Sequence, residues 1–269
     1  MQFLTKVTVT GADNTVKPEQ LLEIAQDYPF VEFGILLSYQ IGDRENVARF
    51  PSIKWIHDAD VVLFDKAPMS GHLCGQCVRD TMLGKWPLNL YLDPFQRIQI
   101  NTHGEPHETN LIKLVEAVHS MLRYLDIEEV IFQYDNVNTK GFEACKACEL
   151  NVSALYDLSH GAGIMPAYWR GAIEGTPWGW AGGLTPTNVA EQLKKIEPII
   201  HVKDVEEVQW NQPYKLVPQN KHWIDAETHL RSFKHQNGSE LVQDVFDLDK
   251  VRQFLEAAKP WVIGQPEKP

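Results

Sequence analysis

No stretch of this sequence holds the roughly 18 consecutive apolar residues that a membrane-spanning helix needs, and its amino terminus lacks the basic-then-apolar pattern of a secretory signal. A cytoplasmic protein with no membrane partner is therefore expected. Positive charge is in short supply: Lys and Arg number 25 against 36 Asp and Glu, a net charge of -11. Such a field repels phosphate backbones, so nucleic acid is not an expected partner, although a local basic pocket for one phosphate is still allowed. Cysteine is sparse and falls as two Cys-x-x-Cys pairs, Cys74 with Cys77 and Cys145 with Cys148. Without an export signal these are expected as reduced thiols. No Ser/Gly-rich linker or low-complexity tract divides the chain, so its 269 residues, 43% of them hydrophobic, are expected to form one domain around one large core.

What is present is an alternation of short β-rich runs and helical patterns from one end to the other, the mark of parallel βα units. Eight units can be counted, which predicts a single (β/α)8 barrel over residues 1–269. Strands are predicted at Phe3–Thr10, Val31–Leu37, a run ending near His72 to Gly75, Arg97–Asn101, Glu129–Tyr134, Val152–Asp157, Trp178–Ala181 and His222–Ala226. Helical patterns begin at Pro18 and at Thr185-Pro186, each with a first-turn proline, and cover Ser52–Phe64, a short stretch up to Leu83, Glu108–Leu125, Phe142–Leu150 and Leu248–Ala258. Pro198 to Asn220 is too long for an ordinary αβ connection and predicts an insertion before the last strand, with a small hairpin as one form.

In a parallel barrel, chemistry is placed on the loops after the strands. The run Trp180 to Ala190 ends a strand in two glycines, Gly182 and Gly183, and passes directly toward a helix start. Glycines admit a close backbone approach and free N–H groups attract an anion, so this is a candidate phosphate cradle; a tight βα turn is the alternative. His72 and Cys74, at the end of the third strand, and Glu32 in the second are candidate proton-transfer groups by position. Each has a plainer reading, His72 as a hydrogen-bonded rim residue and Glu32 as a paired charge inside the barrel. Four thiolates could hold zinc, but the pairs Cys74/Cys77 and Cys145/Cys148 are too far apart for a zinc ribbon, and burial of small apolar thiols explains the second pair equally well.

Particular runs carry a resemblance. Leu155-Tyr156-Asp157, His160-Gly161-Ala162-Gly163, Ala181 to Val189, Ile224-Asp225 and Asp247 to Leu255 resemble, in order and interval, the second half of phosphoribosylanthranilate isomerase. The likeness covers roughly Val152 to Asn188 and Trp223 to Leu255; the first half agrees loosely, through Lys6 to Gly11 and Arg49-Phe50-Pro51-Ser52. It implies a (β/α)8 barrel, without cofactor, that performs an acid–base Amadori rearrangement of the aldose–ketose type on a phosphoribosyl amine in tryptophan synthesis. Asp157 takes the place of the family's catalytic acid. Gly182 and Gly183 take that of its phosphate-contacting turn, with Gly161, Gly163 and Glu227 among the expected ligand-binding positions, and Arg49 that of an arginine holding the substrate carboxylate. His103, in Asn101-Thr102-His103-Gly104, is similar to the family's Gln-Leu-His-Gly run.

Two departures bear on the chemistry. Where the family has a catalytic cysteine in Lys-x-Cys-Gly, this chain has Thr10-Gly11, and a threonine hydroxyl cannot accept a proton at neutral pH without a partner. Where the family has a small anion-binding segment, this chain has Ala226-Glu227-Thr228-His229. The leading expectation is an isomerase acting on a small, anionic, phosphorylated sugar-like substrate, as monomer or homodimer, with Asp157 as acid. The alternatives are a non-catalytic regulatory barrel that kept the anion pocket, and a thiol- or metal-dependent barrel centred on Cys74.

Overall fold

The computed structural model describes residues 1–38, 49–83, 92–101, 108–125, 127–135, 139–159, 161–200, 205–207, 216–218, 221–235 and 242–265. Eight strands close into a barrel: β1 (Leu4–Thr10), β2 (Val31–Leu37), β3 (Met69–Leu73), β4 (Arg97–Ile100), β5 (Glu129–Tyr134), β6 (Val152–Tyr156), β7 (Trp178–Ala181) and β10 (His222–Ala226), in the cyclic order β1-β10-β7-β6-β5-β4-β3-β2. Every neighbouring pair in the ring is parallel. Buried side chains on both faces explain why β2 and β5 read as unbroken buried runs rather than alternating ones.

Helices α1 (Pro18–Asp27), α2 (Ile53–Leu63), α3 (Gln76–Met82), α4 (Glu108–Tyr124) and α5 (Thr139–Ala147) follow the first five strands, α6 (Val189–Ile196) follows β7, and α7 (Leu248–Ala258) closes the chain of units. Among the described residues, seven helices accompany the eight barrel strands, as the sequence pattern predicts: the segment between β6 and β7 contains none. That segment carries Gly161, Gly163, Gly171 and Gly175 together with Pro166 and Pro177, residues that weaken or stop a helix. The expected insertion holds a small antiparallel pair, β8 (Val205–Glu207) with β9 (Leu216–Pro218). A second hairpin, β11 (Arg231–His235) with β12 (Val242–Phe246), stands between β10 and α7 and adds to the predicted elements. No helix among the described residues is long and apolar enough to cross a membrane.

Side chains pointing into the barrel form layers. Toward the amino-terminal ends of the strands, Arg97 donates to both carboxylate oxygens of Glu32 and, at 3.0 Å, to Glu129, while Lys6 and Thr8 also donate to Glu32 at 3.1 and 2.9 Å. Burial alone would raise the Glu32 carboxyl, but Arg97 and Lys6 outweigh it and hold the group down at about 2. Glu32 is thus a paired charge of the interior. Above it lies a plug of Ile131, Leu155, Ala181 and Trp223. A side chain at Gly179 would meet the Trp223 indole at 2.3 Å, so the flat face of that ring fits only against glycine, and Arg97 covers the ring at 4.5 Å. The barrel is therefore sealed below, and the open space is left at the carboxy-terminal mouth.

Candidate functional site

That mouth encloses a cavity of about 310 Å³. Arg49, His72, Cys74, Asp157, Gly161, Gly163, Gly182, Gly183 and Glu227 all border it, so residues chosen from several different loops and strand ends meet at one place. Thr10 does not border it. It lies just beneath, almost fully buried, and donates its hydroxyl to Asp225 Oδ1 at 2.7 Å. His103 lies outside the described residues.

Asp225 is a site residue that the sequence motifs do not single out as one. It faces the cavity from the last barrel strand yet is only 7% exposed, and among the described residues Thr10 is the single hydrogen-bond partner of its carboxyl. Burial, against the hydrogen bond from Thr10 and reinforced by the charges of Glu227, Asp157 and Glu32, pushes its carboxyl up to about 8. The legible signal is its position: an acidic residue in an otherwise mostly apolar strand, on the same face as Glu227 two residues on.

Asp157 is held differently. Ser159 donates to Oδ1 from its backbone N–H at 2.8 Å and its hydroxyl at 2.7 Å, and Gly161 N–H donates to Oδ2 at 3.3 Å. The carboxylate therefore folds the start of the loop after β6 onto itself, in the manner of an Asx turn, while still facing the cavity. Gln133 donates to the Asp157 carbonyl at 3.1 Å and fixes its backbone.

His72 accepts from or donates to Ser70 Oγ through Nε2 at 3.1 Å, and burial lowers its pKa to about 3, against the pull of Glu32 toward protonation. It faces the cavity as a neutral imidazole. Burial pushes the Cys74 thiol up to about 12, against a hydrogen bond from Asn101, so at neutral pH it is a thiol and not a thiolate nucleophile. Cys77 and Cys145 belong to the apolar core and Cys148 is exposed; all four cysteines are free, and the described residues contain no group of three or more His, Cys, Asp or Glu fit to hold a metal. The four-cysteine zinc arrangement is therefore not assembled.

The twin glycines both adopt positive φ, 102° at Gly182 and 65° at Gly183, which only glycine takes without strain. Their close neighbour is the chain itself. A Cβ on Gly183 would stand 2.4 Å from Met165 N, and one on Gly182 would meet Ile164 O at 3.1 Å and Asp157 Oδ1 at 3.2 Å. After the turn, Thr185 and Asn188 exchange bonds, N–H to Oδ1 at 2.8 Å and N–H to Oγ at 3.1 Å, so α6 begins at Val189 and not at the proline.

Across the mouth, Arg49 is tied down. It sits at φ 73°, with its N–H donating to Asp13 Oδ2 at 2.9 Å, and its guanidinium donates to Asp244 at 3.1 Å and to Glu227 at 3.3 Å. Buried Arg231 donates to Asp13 and Asp244, both at 2.8 Å, and to the Gly11 carbonyl. Asp244, from β12, thus bridges two arginines and docks the second hairpin on the barrel rim. Glu227 has its pKa raised by burial, against Arg49 and Arg231.

The whole arrangement sits on a known frame. The fold is similar to that of phosphoribosylanthranilate isomerases. The isomerase of Thermotoga maritima superposes with a TM-score of 0.50 at 14% identity, covering 95% of this chain and 99% of that one. The TrpF protein of Jonesia denitrificans gives 0.51 at 13% identity, covering 96% and 98%. No protein-family model and no curated protein sequence matches the chain. Identities this low establish a shared (β/α)8 frame, and chemistry has to be argued from the mouth itself.

Proposed function

We propose that the chain is an acid–base isomerase of a small sugar-like substrate, with Asp225 as the group that moves the proton. The observation that carries this reading is a carboxyl facing the cavity, almost wholly buried, and pushed up to about 8. A group that titrates near neutrality has both its basic and its acidic form within reach, so it can take a proton from carbon and return it within one turnover. Thr10 supports it as a positioning residue. Its hydroxyl occupies Oδ1 and fixes the side chain, and no described residue donates to Oδ2.

An aldose–ketose interconversion moves two protons. Asp225 takes one from the carbon next to the carbonyl or imine carbon while the carbonyl oxygen or imine nitrogen gains another, giving an enediol or enaminol; the same carboxyl then delivers its proton to the former carbonyl or imine carbon as the neighbouring hydroxyl gives one up. Nothing is gained or lost overall. Asp157 across the cavity supplies negative charge where positive charge develops as a sugar ring opens, and neutral His72 offers a ring nitrogen to a substrate oxygen.

The test is hydrogen exchange. Aldopentoses and their 1-amino-ketose counterparts are incubated with the protein in D2O and followed by proton NMR. The wild type is expected to exchange the proton at the carbon beside the carbonyl, and Asp225→Asn to lose about 100-fold or more of that rate. Equal exchange in the variant removes Asp225 from the mechanism, and no exchange in the wild type with any of these sugars removes the isomerase reading.

A further inference from the structure

We infer that the substrate group entering this mouth is a protonated amine and not a phosphate; the inference rests on the acid–base reading above and names the class of substrate that site takes. An amino sugar is the class meant.

The first support is the state of the cations. Arg49 is the only lysine or arginine bordering the cavity among the described residues, and its guanidinium is already given to Glu227 and Asp244. A phosphate would have to displace two carboxylates of the protein to reach it. Glu227 would then be left partly buried without its ion-pair partner, and Asp244 with Arg231 alone, which opposes the exchange.

The second is the twin-glycine turn. On the side that a Cβ would occupy, the atoms nearest Gly182 and Gly183 are the backbone of Ile164 and Met165, the carboxylate of Asp157 and the Ser159 hydroxyl. That side is packed against the chain itself, and at Gly182 it presents Ile164 O and Asp157 Oδ1, acceptors that repel an oxyanion.

The third points to a donor directly. Asp225 is more than nine-tenths buried and faces the cavity with one oxygen bonded to Thr10 and, among the described residues, no protein donor for the other. Asp225 borders the cavity, where an N–H-bearing ligand can bond to that open oxygen and the ligand's positive charge favours the ionised carboxyl. Asp157 and Glu227 face the same space. An ammonium group has three donors and a positive charge to offer these oxygens; a phosphate at neutral pH offers mainly acceptors and negative charge.

The experiment is a set of titrations of the full chain at neutral pH, read by NMR shifts or by heat, with glucosamine, glucose, ribose 5-phosphate and inorganic phosphate as probes. Glucosamine is expected to bind about tenfold or more tighter than glucose, which matches its shape without the charge, and tighter than either phosphate probe. Glu227→Gln is expected to reduce the preference for glucosamine and to strengthen ribose 5-phosphate binding by freeing Arg49. Tighter binding of ribose 5-phosphate or phosphate to the wild type overturns the inference, and so does glucosamine binding no better than glucose, including no measurable binding of either. The two readings fail separately. Anion binding with hydrogen exchange still lost in Asp225→Asn sinks the amine and spares the acid–base chemistry, whereas an amine preference with exchange intact in that variant does the reverse.

Discussion

Replacing Asp225 by Asn should make the protein more stable in alkaline solution while removing its activity. In the unfolded chain an aspartate titrates at its ordinary 3.8; in the fold this one is pushed up to about 8. Below about pH 4 the carboxyl is protonated in both states and the fold carries no penalty. As the pH rises toward 8 the unfolded chain ionises while the fold cannot easily follow, so stability is lost across that window and the loss is complete above about 8. Four pH units at about 1.4 kcal/mol each set a ceiling of about 6 kcal/mol, and relaxation around a charged buried group brings the expected value to about 2–3 kcal/mol. Asn keeps the shape and still accepts from Thr10, so the variant should escape the loss. Urea unfolding of both proteins between pH 4 and 9 measures it. Stability curves that converge near pH 4 and separate in favour of the Asp225→Asn variant as the pH rises are expected; parallel curves, or a variant weaker at pH 9, refute the reasoning.

Removing the Glu32 carboxylate by Glu32→Gln leaves Arg97 buried with only Glu129 as a full charge partner and should cost about 3–5 kcal/mol in urea unfolding. Because Glu32 is held near 2, below its ordinary 4.5, its stabilisation is present above about pH 4.5 and fades as the pH falls through 2, so the variant's acid limb should be shallower than the wild type's. Gly183→Ala combines a φ of 65° with a Cβ placed 2.4 Å from Met165 N. A loss of about 2 kcal/mol or more and faster proteolytic cleavage within residues 158–177 are expected; unchanged cleavage would mean that the turn does not hold that segment. Thiol labelling at neutral pH should reach exposed Cys148 first, with Cys74 and Cys145, both pushed up to about 12, reacting far more slowly. Mass-spectrometric mapping of the modified peptides gives the order.

The barrel can be read where local signals and burial agree. Val31–Leu37, Glu129–Tyr134, Trp178–Ala181 and His222–Ala226 are strands with the bounds the sequence predicts, because compact, largely apolar runs ended by breakers leave little alternative. Leu248–Ala258 is likewise legible, since the Asp247 side chain accepts from the N–H groups of Asp249 and Lys250 and caps it. The helix predicted over Phe142–Leu150 instead spans Thr139–Ala147, where Glu149 turns to φ 55° and ends it. The second hairpin has a faint signal of its own in the sequence, the turn-favouring run Asn237-Gly238-Ser239 between the two strands.

The site is half legible. Strand ends in a parallel barrel converge, so His72, Cys74, Asp157 and the twin glycines can be placed on one rim from order alone. What decides their chemistry comes from contacts distant in sequence: Thr10 against Asp225, and Arg231 and Arg49 against Asp13 and Asp244. Nothing in the local sequence of any one of these residues reports the charge or burial of its partner, so Asp225 reads as an ordinary strand residue and Arg49 as a free anion binder.

The most direct measurement is the titration of the Asp225 carboxyl itself, by carbon-13 NMR of protein labelled at aspartate, with its resonance assigned by its disappearance in Asp225→Asn. A midpoint near 8 is the expected result. A midpoint near the ordinary 3.8 would leave the mouth without a proton-transfer group poised at neutral pH and would contradict the proposed chemistry.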